Sequence, residues 1–447
     1  MSKGEGGSSM HGVLVSVLIP CKNTGELLKP CLASIAESSH RPLEVCLYDD
    51  GSDDDGVTLG IIAEYASNAP QGISVVIGSR SQSDDGAPSI GAARNAVAAL
   101  ASGDFLCWLD SDDVMLPCRI AGSLETYFAK RAESGCDHVL VGSRFVRDPP
   151  GSTPRYAAWA NSLSQDQLVT HRFRECTLIQ PTWFLPRASF AWIGGYEAAG
   201  LAEDFKFLLT WVCRGGVLAR LDAVALVYTY SAGSLSWKVP QALLRKIRVE
   251  AFEQQVLGIG GEAGAARPAT LPAQPWAAFA IWGAGKDAKA FFRALSDEAK
   301  ARVTCFADID PAKLSVGTYP DTVLVPVVVP AHKMSSARKA RKAARKAAAA
   351  AAAAGNPLPS KKPRALDGQA AHGQRSNGDG SGVDDDGPIT VCIKMKRQLR
   401  REIPIVAVAD LRPPFVAAVA LDRTQGTFEA ALAASGYVDG VDYFHVV

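Results

Sequence analysis

Short apolar runs alternate with amphipathic stretches along the first half of the chain. The segments are Leu14 to Ile19, the helically spaced Leu28, Leu32 and Ile35, Leu43 to Tyr48, Leu59 to Tyr65 and Ile73 to Ile77. Alternation of this kind predicts βαβ units. We therefore expect an α/β fold with a mostly parallel, Rossmann-like sheet.

In such a sheet, ligands bind at the carboxyl ends of the strands. The loops that should carry chemistry are therefore those that follow Ile19, Tyr48, Ile77 and Leu109. Each of these loops contains polar or charged residues of the kinds that bind nucleotides or metals.

Changes in composition predict the domain boundaries. We expect a disordered tail at 1–12, a first domain at 13–258, a linker rich in glycine, alanine and proline at 259–275, and a smaller α/β domain at 276–447. A basic, alanine-rich run and an acidic tract interrupt the second domain at 333–387, a composition that predicts a disordered insert.

The second domain opens with a small-residue turn. Gly283, Ala284 and Gly285, with Ala288 three residues on, follow an apolar run and satisfy the GxGxxA form of a dinucleotide fingerprint. Close packing between a strand and a helix also requires small residues at such a turn. The sequence thus leaves nucleotide binding and a purely structural, Rossmann-like turn as alternatives.

The charge balance excludes a general attraction to polyanions. Lysine and arginine total 47 against 46 for aspartate and glutamate, so no nucleic-acid partner is expected. No apolar run approaches the roughly 18 residues of a membrane span, and the amino terminus has no signal-peptide pattern. We expect a cytoplasmic protein without a transmembrane segment.

Two of the strand-end loops suit a nucleotide. Pro20 and Asn23 follow the first apolar run, and Asp49 and Asp50 follow the second. Carboxylates at a strand's carboxyl end can hydrogen-bond a uracil edge or a ribose. The same acidic cluster could instead cap the next helix.

Arg94 and Asn95 fall in the first turn of a predicted helix that begins with the small residues Gly91 to Ala93. Small residues allow a nucleotide to approach the helix closely, and the guanidinium adds positive charge. We expect both side chains to contact the nucleotide.

Asp110, Ser111 and Asp112 end the apolar strand Phe105 to Leu109. Carboxylates at i and i+2 of an extended segment point to one side, so Asp110 and Asp112 can jointly hold one divalent cation, Mg²⁺ or Mn²⁺. The diphosphate of a nucleotide would complete the shell of ligands. The alternative is an acidic turn that caps the helix after Pro117.

The order of these motifs resembles the GT-A catalytic domain of family 2 glycosyltransferases. The resemblance rests on Pro20 to Asn23, Asp49 to Ser52, Gly91 to Asn95 and Asp110 to Asp113. It implies a nucleotide-sugar-binding domain, with UDP-sugars as the expected donors and a divalent cation as the cofactor.

A later segment resembles the acceptor side of that family: Gly194 to Tyr196, followed by Glu203 and Asp204. The resemblance assigns Asp204 as the catalytic base, and one base implies a single, inverting displacement. Glu203 and Trp183 are possible acceptor or sugar contacts. Acidic residues also favour the first turn of ordinary helices, which is the alternative for Glu203 and Asp204.

Three further segments resemble the β-1,3-N-acetylglucosaminyltransferase-like proteins, which join a family 2 domain to a C-terminal module: Thr177 to Trp183, Ile281 to Lys286 and Asp439 to His445. One departure from the GT-A pattern is Tyr228 to Ser231, where many such enzymes carry a histidine near the metal. Serine is a weaker ligand than imidazole, so the metal site rests on the carboxylates.

The sequence therefore predicts an inverting, metal-assisted glycosyltransferase that moves a sugar from a nucleotide sugar to the hydroxyl of an unidentified acceptor. The alternative from another class is a catalytically idle nucleotide-sugar-binding scaffold or sensor. An NAD-linked enzyme built on the Gly283 turn would need catalytic residues in the second domain, and the sequence offers no candidates.

Overall fold

The computed structural model describes residues 12–80, 89–231, 238–261, 268–269, 271–330, 391–419 and 427–446. The expected insert at 333–387 and nearly all of the expected tail lie outside these residues. The chain forms two compact units, Met1–Gly317 with Ile405–Val447, and Thr318–Pro404.

The first unit contains an eight-stranded sheet of order β3-β2-β1-β4-β7-β6-β8-β5. Its strands are β1 (Val15–Cys21), β2 (Leu43–Asp49), β3 (Ile73–Ser79), β4 (Phe105–Trp108), β5 (Val114–Met115), β6 (Val139–Asp148), β7 (Phe184–Pro186) and β8 (Val217–Thr229). β1 to β4 are parallel, as predicted, whereas β7 and β5 pair antiparallel with their neighbours. The mostly parallel α/β fold of the first domain is confirmed.

Helices follow most of these strands. They are α1 (Leu28–Ala36), α2 (Val57–Ser67), α3 (Ile90–Leu100), α4 (Arg119–Ser134), α5 (Pro154–Ser162), α6 (Gln165–Thr170), α7 (Arg187–Ile193), α8 (Glu203–Cys213) and α9 (Gln241–Gln255). The apolar spacing at Leu28, Leu32 and Ile35 places these three side chains on the buried face of α1. Their burial explains why the predicted helix forms there.

The central strands are buried on both faces. Every residue of β1 and β4 is buried, which is typical of a parallel sheet covered by helices. The strands reach further than the apolar runs suggest, because β1 continues through Cys21 and β2 through Asp49. Both strands therefore lead directly into the polar loops at their carboxyl ends.

A buried carboxylate links β1, β2 and the segment before β4. Glu44 Oε2 accepts hydrogen bonds from Ser16 Oγ at 2.5 Å and from the Ser102 N–H at 2.8 Å. Glu44 Oε1 accepts the Ser102 hydroxyl at 2.6 Å, and the Gly103 N–H donates to Ser16 Oγ at 2.9 Å. Burial acts to raise the pKa of Glu44, but these hydrogen bonds lower it overall. The network fixes how the strands of the site align.

The carboxyl-terminal part of the first unit forms a second sheet. Its elements are β9 (Phe279–Trp282), α10 (Lys286–Ala294), α11 (Asp297–Ala301), β10 (Val303–Asp308), α12 (Pro311–Leu314), β13 (Phe415–Ala417), α13 (Thr427–Ser435) and β14 (Tyr443–His445). The end of β12 (Val391–Ala407) pairs with β10, and the parallel order continues through β9, β13 and β14. This is the Rossmann 3-2-1-4-5 order, so the predicted second, Rossmann-like α/β sheet in the C-terminal region is confirmed.

The Gly283 turn connects β9 to α10. Gly283 has a φ of +110°, and a Cβ there would lie 2.9 Å from Val419 and 3.0 Å from the Ala418 carbonyl oxygen. Asp308 Oδ2 accepts the Ala284 N–H at 2.7 Å and the Lys313 ammonium at 2.9 Å. Close packing and internal hydrogen bonds thus account for the small residues and for Asp308, which favours the structural alternative.

The described residues of the second unit form two long antiparallel strands. β11 (Thr318–Pro330) pairs antiparallel with β12 up to Pro404, with a register shift between Asp321 and Thr322.

No helix in the described ranges is both long and apolar enough to cross a membrane.

We predict that Glu44→Gln lowers the free energy of unfolding by about 2 kcal/mol at pH 7, because hydrogen bonds to a charged group are lost. In addition, the NH₂ group of the glutamine would face the Ser102 N–H, which is also a donor. The folded-state pKa of Glu44 is depressed, so its contribution is present above the unfolded-state pKa and disappears as the pH falls through the folded-state pKa. The difference from the wild type, measured by urea unfolding, should therefore shrink in acid. Glu125→Gln, at an exposed position of α4, is the control; equal losses in both variants would contradict the prediction.

Candidate active site

The loops at the carboxyl ends of β1, β2 and β4 are hydrogen-bonded to one another. The Asn23 N–H donates to Ser52 Oγ at 2.8 Å, and the Asp53 N–H donates to Asn23 Oδ1 at 2.7 Å. Thr24 Oγ1 and Ser111 Oγ lie 2.7 Å apart and share a hydrogen bond. These contacts bring three of the four predicted loops together at one edge of the sheet.

Asp49 and Asp50 have different surroundings. Asp49 stabilises its own loop, since its carboxylate accepts the Ser52 N–H at 3.1 Å and the Ser52 hydroxyl at 2.5 Å. Asp50 Oδ1 lies 3.0 Å from Arg80 Nη1, and Asp50 Oδ2 lies 3.8 Å from Lys22 Nζ. Asp50 is therefore a buried carboxylate with two cationic partners at the mouth of the site.

Asp54, and not Asp49 or Asp50, is the acidic residue of the loop after β2 that contacts the start of α2. α2 begins after Gly56, and no side-chain hydrogen bond caps the amino end of this helix. Asp54 accepts the Thr58 N–H at 3.2 Å within the first turn. Asp49 and Asp50 do not cap α2; Asp49 stabilises its own loop, and Asp50 pairs with Arg80 and Lys22.

The loop after β4 concentrates three carboxylates. Asp110 and Asp112 are partly exposed, and Asp113 is buried with its Oδ1 accepting the Thr229 N–H at 2.8 Å. Burial and the charge of Asp110 raise the pKa of Asp112 to about 6. Burial and both neighbours raise the pKa of Asp113 well above its usual range. The loop does not cap α4, whose amino end has no side-chain cap.

This loop fits a hard divalent cation. Raised pKa values show that Asp112 and Asp113 repel Asp110 and one another when charged. Asp113 Oδ2 is buried and has no hydrogen-bond partner among the described residues. An oxygen-rich, mutually repelling donor set is what Mg²⁺ or Mn²⁺ requires, so Asp110 and Asp112 fit the predicted metal.

Arg94 connects this loop to α8. Its guanidinium is buried in the first turns of α3 and pairs with Asp110 through Nη2 at 3.3 Å and with Glu203 through Nη1. The ring of Tyr196 lies 5.7 Å from the guanidinium carbon. Burial acts to lower the pKa of Arg94, but Asp110 and Glu203 raise it overall. Arg94 is therefore charged and bound on both sides.

Asn95 ties α3 to the loop around Tyr196. Its Nδ2 donates to the Tyr196 carbonyl and its Oδ1 accepts the Tyr196 N–H, both at 2.8 Å. Gly91 allows this approach, because a Cβ there would lie 2.3 Å from the Glu197 carbonyl oxygen. The small residues at the start of α3 thus accommodate another part of the chain, and Asn95 acts in positioning.

Glu203 and Asp204 form the first turn of α8, directly after Ala202, whose φ is +62°. Glu203 is buried, which raises its pKa although Arg94 opposes the shift. Asp204 is partly exposed, and its Oδ1 accepts the Phe205 N–H at 2.7 Å. Asp204 interacts electrostatically with Arg94. The structure thus brings the Glu-Asp pair to the acidic loop.

Two of the predicted site residues lie in the interior. Pro20 is a buried residue within β1. Trp183 has 0% of its surface exposed, and its Nε1–H donates to the Leu178 carbonyl oxygen at 2.9 Å. Its ring lies 5.1 Å from that of Phe207 and 6.2 Å from that of Tyr196. In the structure, Trp183 is a core residue that supports the Tyr196 loop.

Sequence reasoning missed three residues that border the site. Arg80 follows β3 and pairs with Asp50; the loop after Ile77 was expected to carry chemistry, but no residue in it was chosen. Asp113 is the most buried carboxylate of its loop. Tyr228, near the end of β8, interacts with Asp110 and Asp113, and the Arg147 guanidinium carbon lies 3.9 Å from its ring centre. The sequence pointed to this position only as the segment Tyr228 to Ser231, which lacks the histidine that many GT-A enzymes carry near the metal.

Residues 16–190 match the family described as Glycosyl transferase family 2. The match ends before Glu203 and Asp204. The assignment of a base therefore depends on the geometry around Arg94.

Similarity to known proteins is confined to part of each relative. The chain is 35% identical to a chondroitin synthase of Escherichia coli over 114 residues, 26% of this chain and 15% of the relative. It is 31% identical to a chondroitin synthase of Pasteurella multocida over 176 residues, 38% of this chain and 17% of the relative. The chain thus spans less than a fifth of the length of either synthase.

Among solved structures, S. aureus TarS 1-349 in complex with UDP-GlcNAc is 17% identical, with a TM-score of 0.39 over 54% of this chain and 66% of that chain.

We predict that Arg94→Met lowers the free energy of unfolding by about 3 kcal/mol or more, because it leaves Glu203 charged and buried without its partner. Arg94→Met with Glu203→Gln should lose less than the sum of the two single variants, by about 1 to 3 kcal/mol in a double-mutant cycle. The more exposed Lys206–Glu197 pair is the control, and Lys206→Met should cost less than about 1 kcal/mol. Additive losses for the Arg94 pair would contradict this account.

Proposed function

We propose that the chain is an inverting glycosyltransferase that moves a sugar from a nucleotide sugar, with UDP as the expected nucleotide, to an acceptor hydroxyl. The observation that carries the proposal is the double ion pair of Arg94 with Asp110 and Glu203. It connects the strand-end acidic loop, suited to a metal and a diphosphate, to the helix turn that carries Asp204.

The interlocked loops after β1 and β2 would bind the nucleoside. Asp50 is the carboxylate best placed to contact the nucleoside, because Arg80 and Lys22 fix its position in the loop after β2. Asn23 and Asp49 act mainly by holding these loops in shape. Exposed backbone and side-chain groups of this pair of loops can then hydrogen-bond a uracil edge and a ribose.

Asp110 and Asp112 would hold Mg²⁺ or Mn²⁺. A cation bound there would neutralise the negative charge that develops on the departing diphosphate. Asp113 would help to hold the loop in place, because its Oδ1 accepts a hydrogen bond from the Thr229 N–H. Arg94 keeps Asp110 oriented toward the loop without neutralising the other two carboxylates.

Asp204 would take the proton of the acceptor hydroxyl. Its Oδ1 is engaged by the Phe205 N–H, which orients the carboxylate at the amino end of α8. Glu203 is committed to Arg94 and is buried, so it is a positioning residue beside the base. A single base and a single displacement give inversion at the anomeric carbon.

The second domain extends the proposal. Its Rossmann order and the C-terminal segment Asp439 to His445 fit the architecture of the β-1,3-N-acetylglucosaminyltransferase-like proteins. We propose that this domain supports the first domain rather than binding a second nucleotide. Asp308, which would contact a ribose in a dinucleotide-binding domain, is already bound to the Ala284 N–H and to Lys313.

We predict that Asp204→Asn leaves nucleotide-sugar affinity nearly unchanged but reduces transfer about 100-fold to 10,000-fold, the usual contribution of a general base. The amide keeps the acceptor for the Phe205 N–H and cannot take a proton. Calorimetric titration with a panel of UDP-sugars and a transfer assay on the same preparation measure both quantities.

Asp297→Asn is the matched control, since Asp297 also lies in a helix first turn, that of α11. If the two aspartates only stabilise the first turns of their helices, both substitutions should change the thermal unfolding temperature, and neither should change the transfer rate. If Asp204→Asn transfers within about 10-fold of the wild type, Asp204 is not the dominant base. If the wild type binds a nucleotide sugar but transfers nothing to any acceptor or water, the scaffold alternative is favoured.

We also predict that turnover requires a divalent ion and stops in excess chelator. Asp112→Asn should weaken both metal and nucleotide-sugar binding, because one of two charged ligands is lost. Since the pKa of Asp112 is about 6, protons compete with the metal below that pH. Wild-type metal affinity should fall by about tenfold per pH unit there.

The control is Asp104→Asn, an exposed position before β4 at the opposite end of the strand. This variant should keep the metal affinity and the pH profile of the wild type. Full transfer in chelator would refute the metal requirement while leaving the role of Asp204 open.

A further inference from the structure

Two histidines and an aspartate converge away from the candidate active site. His171 follows α6, and Asp439 and His445 belong to the C-terminal segment around β14. One potential ligand atom from each residue lies within 4.8 Å of the others. His171 Nε2 is 2.8 Å from Asp439 Oδ2, and the rings of His171 and His445 are centred 4.7 Å apart.

The cluster is enclosed and only partly satisfied. Both histidines are buried, at 7% and 4% exposure. Asp439 Oδ1 and His171 Nδ1 are buried and accept or donate no hydrogen bond within the described part of the chain. A buried carboxylate oxygen without a partner is costly. A cation held between the carboxylate and the imidazoles would remove that cost.

We propose that His171, Asp439 and His445 bind a structural zinc ion. Zinc takes imidazole nitrogens and carboxylate oxygens in tetrahedral sites, with bond lengths that place ligand atoms roughly 3.3 Å apart. His171 Nε2 and Asp439 Oδ2 lie 2.8 Å apart, and one potential ligand atom from each of the three residues lies within 4.8 Å of the others, close to that spacing. Two imidazoles and one carboxylate without a thiolate also match the preferences of divalent zinc.

The surrounding backbone fixes the ligands in advance. Thr170 Oγ1 donates to Asp439 Oδ2 at 3.0 Å, as outer-shell partners of ligating carboxylates do. Gly440 has a φ of +79°, and a Cβ there would lie 2.3 Å from Thr170 Cγ2. The Gly440 N–H donates to the Tyr443 carbonyl at 2.8 Å, which closes the turn between the two C-terminal ligands. Bound zinc would clamp this segment to the end of α6.

The test must separate this site from the acidic loop. We would use the full chain carrying Asp110→Asn and Asp112→Asn and titrate it with Co²⁺. We expect one equivalent to bind with the intense visible absorption of tetrahedral cobalt, and zinc to displace it. Zinc should also raise the thermal unfolding temperature of this protein.

Asp439→Asn in the same background should abolish the cobalt spectrum. It should weaken zinc binding by more than the roughly 10-fold to 100-fold typical of outer-shell substitutions. Asp442→Asn and His138→Gln are matched controls, since they change an aspartate of the same segment and a histidine of the first domain. Both should keep the spectrum.

The proposal fails if the folded background protein binds no stoichiometric Co²⁺ or Zn²⁺, or if Asp439→Asn leaves binding unchanged. If Asp439→Asn does not fold, His171→Gln is tested in its place. The direct titration of the background protein with Co²⁺ and Zn²⁺ remains a test of the proposal in either case. No readout depends on sugar transfer, so the outcome is independent of the proposed function.

Discussion

The charge of Arg94 is the constraint on which the candidate active site depends. A buried charge needs charged or hydrogen-bonding partners, and the partners of Arg94 are Asp110 after β4 and Glu203 at the start of α8. Three segments that are distant in sequence are therefore held together by one side chain. Asp204 follows Glu203 directly, so its position relative to the acidic loop is set by the same pair of contacts.

The surplus of negative charge around Arg94 gives the site its chemical character. The pKa values of Asp112 and Asp113 are raised by burial and by the charge of Asp110. Such a loop costs folding free energy that a bound divalent ion and a diphosphate would recover.

The C-terminal segment is integrated with the first domain rather than appended to it. The ring of Phe444 lies 5.4 Å from Phe173 and 5.5 Å from Trp276, and the Arg172 guanidinium carbon lies 5.1 Å from its centre. Aromatic and cation–π packing of this kind holds the segment in place. The proposed zinc ion would add a directional bond between the same two parts of the chain.

The sequence by itself determined the parallel sheet, its helices and the acidic loop with Asp110 and Asp112, because apolar periodicity and strand-end loops are local properties. The tertiary structure decided the rest. It paired Arg94, which was expected to contact the nucleotide, with two carboxylates, placed Trp183 in the core, and brought His171 beside the C-terminal segment. Burial and charge pairing depend on which distant segments pack together, and residue spacing along the chain does not contain that information.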